Sequence, residues 1–215
     1  MSDAVFSESL AYNQVKRRAV SARSYRVKTP PTNGTSFTDG QVVQIDLAGN
    51  LAGTYYDMSS MYLKVKVKAP KIYQLDRCGA LGFIKRLQIS TAGAQIADIN
   101  NWNVLATAML DTDSSDEWKA GYGNVMLGTQ GGQLRGEEVA AGEFRTFCIP
   151  LVLNPLFNTT PHRLIPGFSL SSIQIRLTLE SPDVAVSSPV AQAAAIVFDD
   201  VELCAMMTEL SPMAQ

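Results

Sequence analysis

The chain has 215 residues, of which 46% are hydrophobic and 18% charged, and its formal net charge is −2. This length and apolar content suffice for one substantial core, so the simplest organisation is a single domain with flanking arms. The sequence has no run of about 18 uncharged apolar residues and does not begin with a basic segment followed by an apolar one, as a secretory signal would. We therefore expect no membrane span, and a chain made and folded in the cytoplasm.

Positive charge is concentrated at the start of the chain. Residues 1–28 contain six basic and two acidic side chains, giving +4, so the overall −2 leaves −6 for residues 29–215. The apolar residues of this segment do not keep a helical or strand period for long, and Pro30-Pro31 follow. Residues 1–34 are therefore predicted to be a basic arm and linker at the periphery of the core.

The cations of this arm are candidates for contacts with nucleic acid or with a neighbouring subunit, and the simpler alternative is a solvated basic tail. They are Lys16, Arg17, Arg18, Arg23, Arg26 and Lys28. Even if each contacted a phosphate, six charges would be few for packaging a genome as the main role.

Strand patterns follow the linker. Residues 41–47 begin a strand, residues 48–54 form a loop rich in turn formers, and residues 61–68 alternate strictly between apolar and polar side chains. The polar face of this last strand carries Lys64, Lys66 and Lys68. Such a row can bind an anion, but more often it keeps a strand face soluble and discourages unwanted sheet pairing.

A hairpin and a helix occupy the middle of the chain. Residues 83–90 alternate imperfectly with period two, Ala92-Gly93-Ala94 can provide a positive φ, and residues 95–99 return as the partner strand. Asn100 or Asn101 can then cap a helix, which the three- and four-residue spacing of Trp102, Leu105, Ala106 and Met109 predicts.

A long polar stretch, residues 111–142, follows this helix and is predicted to be a connection that is functional, mobile or ordered by assembly. Its acidic side chains offer hard oxygen ligands for calcium, although the glycine and the final glutamate of an EF-hand loop are missing. These calcium candidates are Asp111, Asp113, Asp116 and Glu117. A solvating role is the alternative, and no other cofactor is expected.

The last third returns to strands. Residues 144–153 form an apolar run in which Pro150 predicts a strand end, an edge or a bulge. Residues 154–167 and 181–192 are predicted loops, residues 172–180 alternate without fault, and residues 195–210 form the final strand, with Cys204 on its polar face. At least seven strands and little helix predict an all-β fold, a single antiparallel jelly-roll sandwich over residues 35–210 with a tail at 211–215.

Several segments together resemble a known family. They are the Tyr62-Leu-Lys-Val-Lys-Val strand, the Ile84-Lys-Arg-Leu-Gln-Ile-Ser hairpin with Gln95-Ile, Cys148-Ile-Pro-Leu, Leu164-Ile-Pro-Gly, Ile173-Gln-Ile-Arg-Leu-Thr-Leu-Glu, and the closing segment from Asp200 to Pro212. This succession is similar to the first jelly roll of the double-jelly-roll major capsid proteins of icosahedral DNA viruses and Polinton-type elements. In that family a second jelly roll follows, whereas this sequence ends at Gln215.

The resemblance implies a single-jelly-roll capsid subunit of an icosahedral virion. Its partners would be copies of itself and other capsid proteins. Association of separate single-jelly-roll chains would then replace the two fused jelly rolls of the family. Six aromatic residues in predicted loops are candidate interface anchors. They are Tyr55, Tyr56, Trp118, Tyr122, Phe157 and Phe168.

Two other classes of function compete with this one. Catalysis is disfavoured, because His162 is the only histidine and no nucleophile motif or helpful Cys/His pair appears; Cys78, Cys148 and Cys204 are best explained as buried thiols. The stronger competitor is a ligand-binding or carbohydrate-binding jelly roll, such as a virion spike or a lectin-like module. It would use the acidic cluster at residues 111–117 together with Trp118.

Overall fold

The computed structural model describes residues 22–49, 51–92, 94–151, 164–169, 171–186 and 196–211. The strands are β1 (Ala22–Thr29), β2 (Ser36–Thr38), β3 (Val42–Leu47), β4 (Thr54–Lys68), β5 (Tyr73–Asp76), β6 (Ile84–Thr91), β7 (Ala94–Asn100), β8 (Arg135–Val139), β9 (Phe144–Pro150), β10 (Leu164–Pro166), β11 (Ile173–Leu179) and β12 (Val197–Leu210). The helices are α1 (Trp102–Asp113), α2 (Asp116–Trp118), α3 (Asn124–Leu127) and α4 (Pro182–Ala185), with a π-helix at Lys119–Gly123 and 3-10 helices at Gly79–Phe83 and Gly167–Ser169.

Two antiparallel sheets define the architecture. The larger has the order β1-β12-β4-β10, with β2 also paired to β12 and β9 to β4, and the smaller has the order β3-β11-β6-β7. When β2, β3, β4, β6, β7, β9, β11 and β12 are counted as strands one to eight, the sheets read 1-8-3-6 and 2-7-4-5. This order arises when an antiparallel chain of eight strands folds over on itself, which is a jelly roll. The predicted fold class is confirmed.

Side chains from both sheets meet in one core. Phe83, directly before β6 of the smaller sheet, contacts Phe147 of β9 and Phe198 of β12 of the larger one, at ring-centroid distances of 5.9 and 5.3 Å. All three rings are buried. Tilted and edge-on contacts of this kind add to the hydrophobic gain of burial.

The strand with the most regular pattern lies at the centre of the smaller sheet. β11 pairs with β3 on one side and β6 on the other, and its buried and partly exposed residues alternate as predicted. Pro150 is the last residue of β9, in agreement with the expected strand end. A proline has no N–H to give to a ladder, so it suits that position.

The prediction that the segment before Met61 is a loop was wrong. β4 begins at Thr54, so Tyr55 and Tyr56 lie in a strand, and Tyr56 is buried. The alternation slips between Met58 and Met61, which are both buried although three residues apart. At this slip the Ser60 hydroxyl accepts a hydrogen bond from the Met206 N–H in place of a backbone carbonyl. The strict period-two alternation of buried and exposed side chains is therefore interrupted at this point.

The imperfect alternation of the β6 hairpin has a local cause. Thr178 is opposite Arg86 and Leu179 is opposite Ile84, so Lys85 is an extra residue in a β-bulge. The bulge turns Lys85 outward and leaves Ile84 fully buried, although a strict period of two would put Ile84 on the same face as Arg86 and Gln88. The return strand at residues 95–99 is confirmed as part of β7.

The helix after the hairpin is confirmed as α1, but its predicted cap is not. Asn101 has a φ of 52° and makes no side-chain capping bond. Its role is conformational, because asparagine tolerates the left-handed region better than most residues do. The following stretch, predicted as a long connection, instead contains α2, a π-helix, α3 and β8.

Two further expectations need correction. Cys204 was placed on the polar face of β12 but is buried, because β1 and β4 flank β12 and place Lys28 and Tyr62 beside this thiol. The predicted loops at 154–167 and 181–192 contain β10 and α4 respectively. The remainder of these two segments falls largely outside the described residues.

Part of the predicted basic arm belongs to the larger sheet. Residues 22–29 form β1, which pairs along its whole length with β12. Tyr25 and Val27 pack partly buried against the core, so a period of two is present but short. Residues 1–21 lie outside the described part of the chain.

Candidate assembly surfaces

The described cations of the arm are bonded within the chain itself. Arg26 lies over the ring of Tyr62, 5.5 Å from its centroid, and its Nη1 donates to the Tyr62 hydroxyl at 3.2 Å. Lys28 Nζ lies 3.3 Å from Glu202 Oε2. Arg23 lies 5.7 Å from the centre of the Tyr25 ring. The sheet therefore holds these three groups, while Lys16, Arg17 and Arg18 fall outside the described residues.

The lysine row on β4 faces carboxylates of β12. Lys64 Nζ lies 3.4 Å from Glu202 Oε2, and Lys66 Nζ donates to Asp200 Oδ2. This bond lowers the pKa of the Asp200 carboxyl below its usual value. Lys68 lies over the ring of Phe144 at 4.8 Å. Since each lysine has an internal partner, the row acts as a solvated, ion-paired sheet face rather than as a free anion site.

The acidic candidates for calcium are arranged along α1 and the start of α2. Asp111 lies between two cations, with Arg77 Nη2 at 3.0 Å from Oδ2 and Lys119 Nζ at 3.2 Å from Oδ1. Within the described ranges, no three His, Cys, Asp or Glu side chains are grouped so that they could hold a metal ion. His162 lies outside those ranges, and calcium binding stays a prediction.

The aromatic candidates divide into exposed and internal groups. Tyr122 on the π-helix and Phe168 expose 75% and 55% of their surface, which suits contact with another molecule. Phe168 meets Tyr55 edge-on at 6.2 Å, so the structure brings these two together. Trp118 packs partly buried against the core, and the Tyr56 hydroxyl donates to the Ala48 carbonyl at 2.7 Å. Phe157 is outside the described residues.

The thiols do not form a reactive site. All three are free; Cys78 and Cys204 are buried, and Cys148 is half-buried. Burial raises the pKa of the Cys78 thiol to about 11. A thiol with a raised pKa stays protonated at neutral pH and is a poor nucleophile.

The outer edges of four strands carry features that block further pairing. Asn33 covers β3: its Nδ2 donates to the Val42 carbonyl at 2.6 Å, and its Oδ1 accepts from the Gln44 N–H at 2.9 Å. β1 bears three cations along its length. β9 and β10 each end in a proline. Charges, prolines and covering segments are the usual protections of exposed edges.

Two polar contacts were not found by sequence reasoning. Glu180 is buried and accepts a hydrogen bond from Asn103 Nδ2 at 3.2 Å. Arg86 donates from Nε and Nη2 to the two carboxylate oxygens of Asp98, at 2.7 and 2.6 Å. The second pair could have been found from the hairpin register, since both residues lie on its outward face. The first joins positions 77 apart and carries no local signal.

No helix among the described residues is long and apolar enough to cross a membrane. The two sheets and their connections define a jelly roll of the kind found in viral major capsid proteins. No protein-family model and no curated protein sequence matches this chain.

Solved structures similar to this chain include viral capsid proteins. The chain is similar to the PBCV-1 virus capsid, with a TM-score of 0.63 and 15% identity over 94% of this chain and 46% of that one. It is also similar to the Faustovirus major capsid protein, with a TM-score of 0.59 and 10% identity over 95% of this chain and 57% of the other. A third match is PBCV-1 VP54 fitted into a reconstruction of the virophage Sputnik, with a TM-score of 0.55 and 15% identity over 94% of this chain and 46% of that one. The chain therefore spans about half the length of these structures.

Proposed function

We propose that this chain is a structural subunit of an icosahedral virus shell, made in the host cytoplasm and incorporated into the virion. Copies associate through sheet edges, connecting segments and the N-terminal arm. The observation that carries this proposal is the jelly-roll strand order of this chain, together with its structural similarity to two viral capsid structures over 94% and 95% of its length.

The surface of the barrel supports this role. A subunit that tiles a shell needs surfaces that other copies cover. Tyr122 lies on the segment that joins β7 to β9, while Phe168 lies in the 3-10 helix that follows β10. These two exposed rings belong to different connections, so more than one contact with neighbouring molecules is available.

The arm is proposed to contact neighbouring copies more than nucleic acid. Three of its six cations already contact side chains of this chain, namely Tyr25, Tyr62 and Glu202. The remaining three would neutralise about three phosphates at most, which gives only a weak dependence of nucleic-acid affinity on salt.

The ligand-binding alternative has less support. It requires Trp118 and the acidic cluster to present one gripping surface, but Trp118 packs against the core and Asp111 is held by Arg77 and Lys119. These side chains are occupied with stabilising the helical segment after α1.

Size-exclusion chromatography with light scattering separates the two functions. A capsid subunit is expected to form assemblies far larger than its 23.3 kDa mass, with a distribution that depends on protein concentration and salt. A lectin-like module would stay a monomer or small oligomer and bind glycans on an array. Monomeric behaviour over a wide range of conditions, together with glycan binding, would overturn the capsid proposal.

A further inference from the structure

β7 is the open edge of the smaller sheet. It pairs with β6 on one side, and no backbone hydrogen bond from the described residues reaches its other side. Ala94, Gln95, Asp98 and Asn100 are exposed along it. An edge strand with no partner on one side presents a row of N–H and C=O groups, and only another extended segment can satisfy all of them.

The protections that depend on charge or proline are missing from this edge, although a register shift in its pairing with β6 leaves Ile96 in a bulge. The strand is seven residues long and contains neither lysine nor proline, in contrast to the cations of β1 and the prolines of β9 and β10. Its one charge, Asp98, is neutralised by the two-pronged bond from Arg86. A second strand could therefore approach β7 without meeting an unpaired charge.

The core is also incompletely covered along this strand. Ile96, Ala97 and Ile99 pack against the core but stay partly exposed, whereas Leu87 and Ile89 on the neighbouring β6 are fully buried. Ala97 is opposite Ile89 and Ile99 is opposite Leu87, so their side chains point toward the core side of the sheet. A strand added beside β7 would bury the remaining apolar surface.

A polar groove runs along the outer face of the same sheet, next to this edge. It has a volume of about 390 Å³, and amide, hydroxyl and guanidinium groups from β6, β7 and β11 line it. These include Gln88, Ser90, Gln95, Gln174 and Arg176. An apolar strip flanked by groups that can form hydrogen bonds is the composition of a protein contact.

We propose that β7 pairs antiparallel with β7 of a second copy, so that two smaller sheets join into one continuous sheet across a two-fold axis. A two-fold contact needs a surface complementary to itself, and a neutral strand meets this requirement. Ala97 lies at the middle of β7 and would bring only a small side chain to the axis. The same arrangement on β1 would bring the cations of one copy, Arg23, Arg26 and Lys28, close to the same cations of the other copy.

This inference rests on the proposed capsid function and deepens it, because it names one contact between copies. The test uses the full chain in sedimentation velocity from about 1 to 100 µM. Ile96→Lys places a charge at the open edge, and Val27→Lys is its control on β1, where an apolar residue is also partly exposed. We expect dimers or larger assemblies for the wild type and for Val27→Lys, and at least about tenfold weaker association for Ile96→Lys, because burial of an unpaired charge is costly.

A cysteine pair covers the case in which Ile96→Lys fails to fold. Ala97→Cys, at the proposed two-fold axis on β7, should form a disulfide between copies under mild oxidation, and Val27→Cys on β1, also partly exposed, should not. Equal association of wild type and folded Ile96→Lys, equal cross-linking of the two cysteine variants, or a monomeric wild type would overturn the β7 contact. If shells still form in Ile96→Lys, the β7 contact is wrong while the capsid function stands. If dimers form through β7 but shells never form, the β7 contact stands and the capsid function is wrong.

Discussion

Asn103 on α1 and Glu180 at the end of β11 share a buried hydrogen bond, with Nδ2 and Oε2 3.2 Å apart. The Ser181 N–H also donates to Oε1 of Glu180 at 3.0 Å, and Lys85 Nζ lies 3.6 Å from the same oxygen. One carboxylate therefore connects the helix after the hairpin, the bulge in β6 and the entry to α4. A buried charge persists where such partners surround it.

Replacing this carboxylate should destabilise the barrel. Glu180→Ala leaves the Asn103 amide without its acceptor and Lys85 without its counter-charge, so the free energy of unfolding should fall by about 2 to 3 kcal/mol. Urea unfolding monitored by circular dichroism measures this change. Glu138→Ala, at an exposed position on β8, is the control and should cost less than about 0.5 kcal/mol. Equal midpoints for the two variants would contradict a structural role for Glu180.

Gly79 tests the packing of the 3-10 helix before β6 against α3. Its φ is +60°, and a Cβ atom there would lie 2.2 Å from the Leu127 carbonyl oxygen. Gly142 has a φ of +76° but open space around it. Gly142→Ala should therefore lower the free energy of unfolding by about 1 to 2 kcal/mol through backbone strain alone. Gly79→Ala should lower it by about 3 kcal/mol or more, because the clash with the Leu127 carbonyl adds to the strain. Similar melting temperatures for both variants would show that the contact with α3 is not tight.

Two buried tyrosines should respond in opposite ways to loss of the hydroxyl. The Tyr73 hydroxyl is buried and has no hydrogen-bond partner among the described residues, and burial raises its pKa. Tyr73→Phe should therefore stabilise the protein by about 1 kcal/mol, because an unsatisfied polar group is removed. Tyr56→Phe loses the bond to the Ala48 carbonyl and should destabilise it by a similar amount, about 1 kcal/mol. Thermal unfolding of the two variants against wild type decides the sign of each effect.

The Arg86 and Asp98 pair predicts a specific dependence of stability on acid. Arg86 lowers the pKa of the Asp98 carboxyl from 3.8 to about 2. A carboxyl whose pKa is lower in the folded state contributes stability that is present above pH 3.8 and is lost as the pH falls toward 2. Melting temperatures from about pH 5 to about pH 2 should therefore converge between wild type and Asp98→Asn as the pH falls. A difference that stays constant over this window would contradict the assignment.

Truncation of the arm should separate folding from assembly. Removing residues 1–21 leaves β1 in place, so the melting temperature should be unchanged while assembly is impaired. Removing residues 1–29 also strips β1 from β12 and exposes the surface that Tyr25 and Val27 cover, so this variant should be less stable. Normal assembly of the shorter truncation would show that residues 1–21 make no required contact.

The jelly roll could be predicted because its strands with one solvent-exposed face alternate between apolar and polar side chains. β11 and the second half of β4 bury one set of side chains and expose the other, and this period is visible without coordinates. The pattern failed where the pairing is irregular, at Lys85 in β6 and between Met58 and Met61 in β4, because an odd number of extra residues moves the following side chains to the other face.

The candidate surfaces were harder to predict. Exposure of Tyr122 and burial of Tyr56 depend on strand positions that are distant in sequence, and both had been expected in loops. The contrast between β7 and the protected edges depends on sheet order, and Asn33 covers β3 through contacts that appear only once the linker is folded back on it. Such relationships produce no periodic pattern in the amino-acid sequence.

The central claim is that this jelly roll builds a closed shell from copies of itself. Electron microscopy of the purified full chain, at the concentration and salt where light scattering is strongest, tests it most directly. The account predicts closed particles of uniform diameter whose walls are made of repeating barrel-sized units. Fields that contain only isolated molecules of about 23.3 kDa, with no closed particles at any concentration or salt, would contradict it.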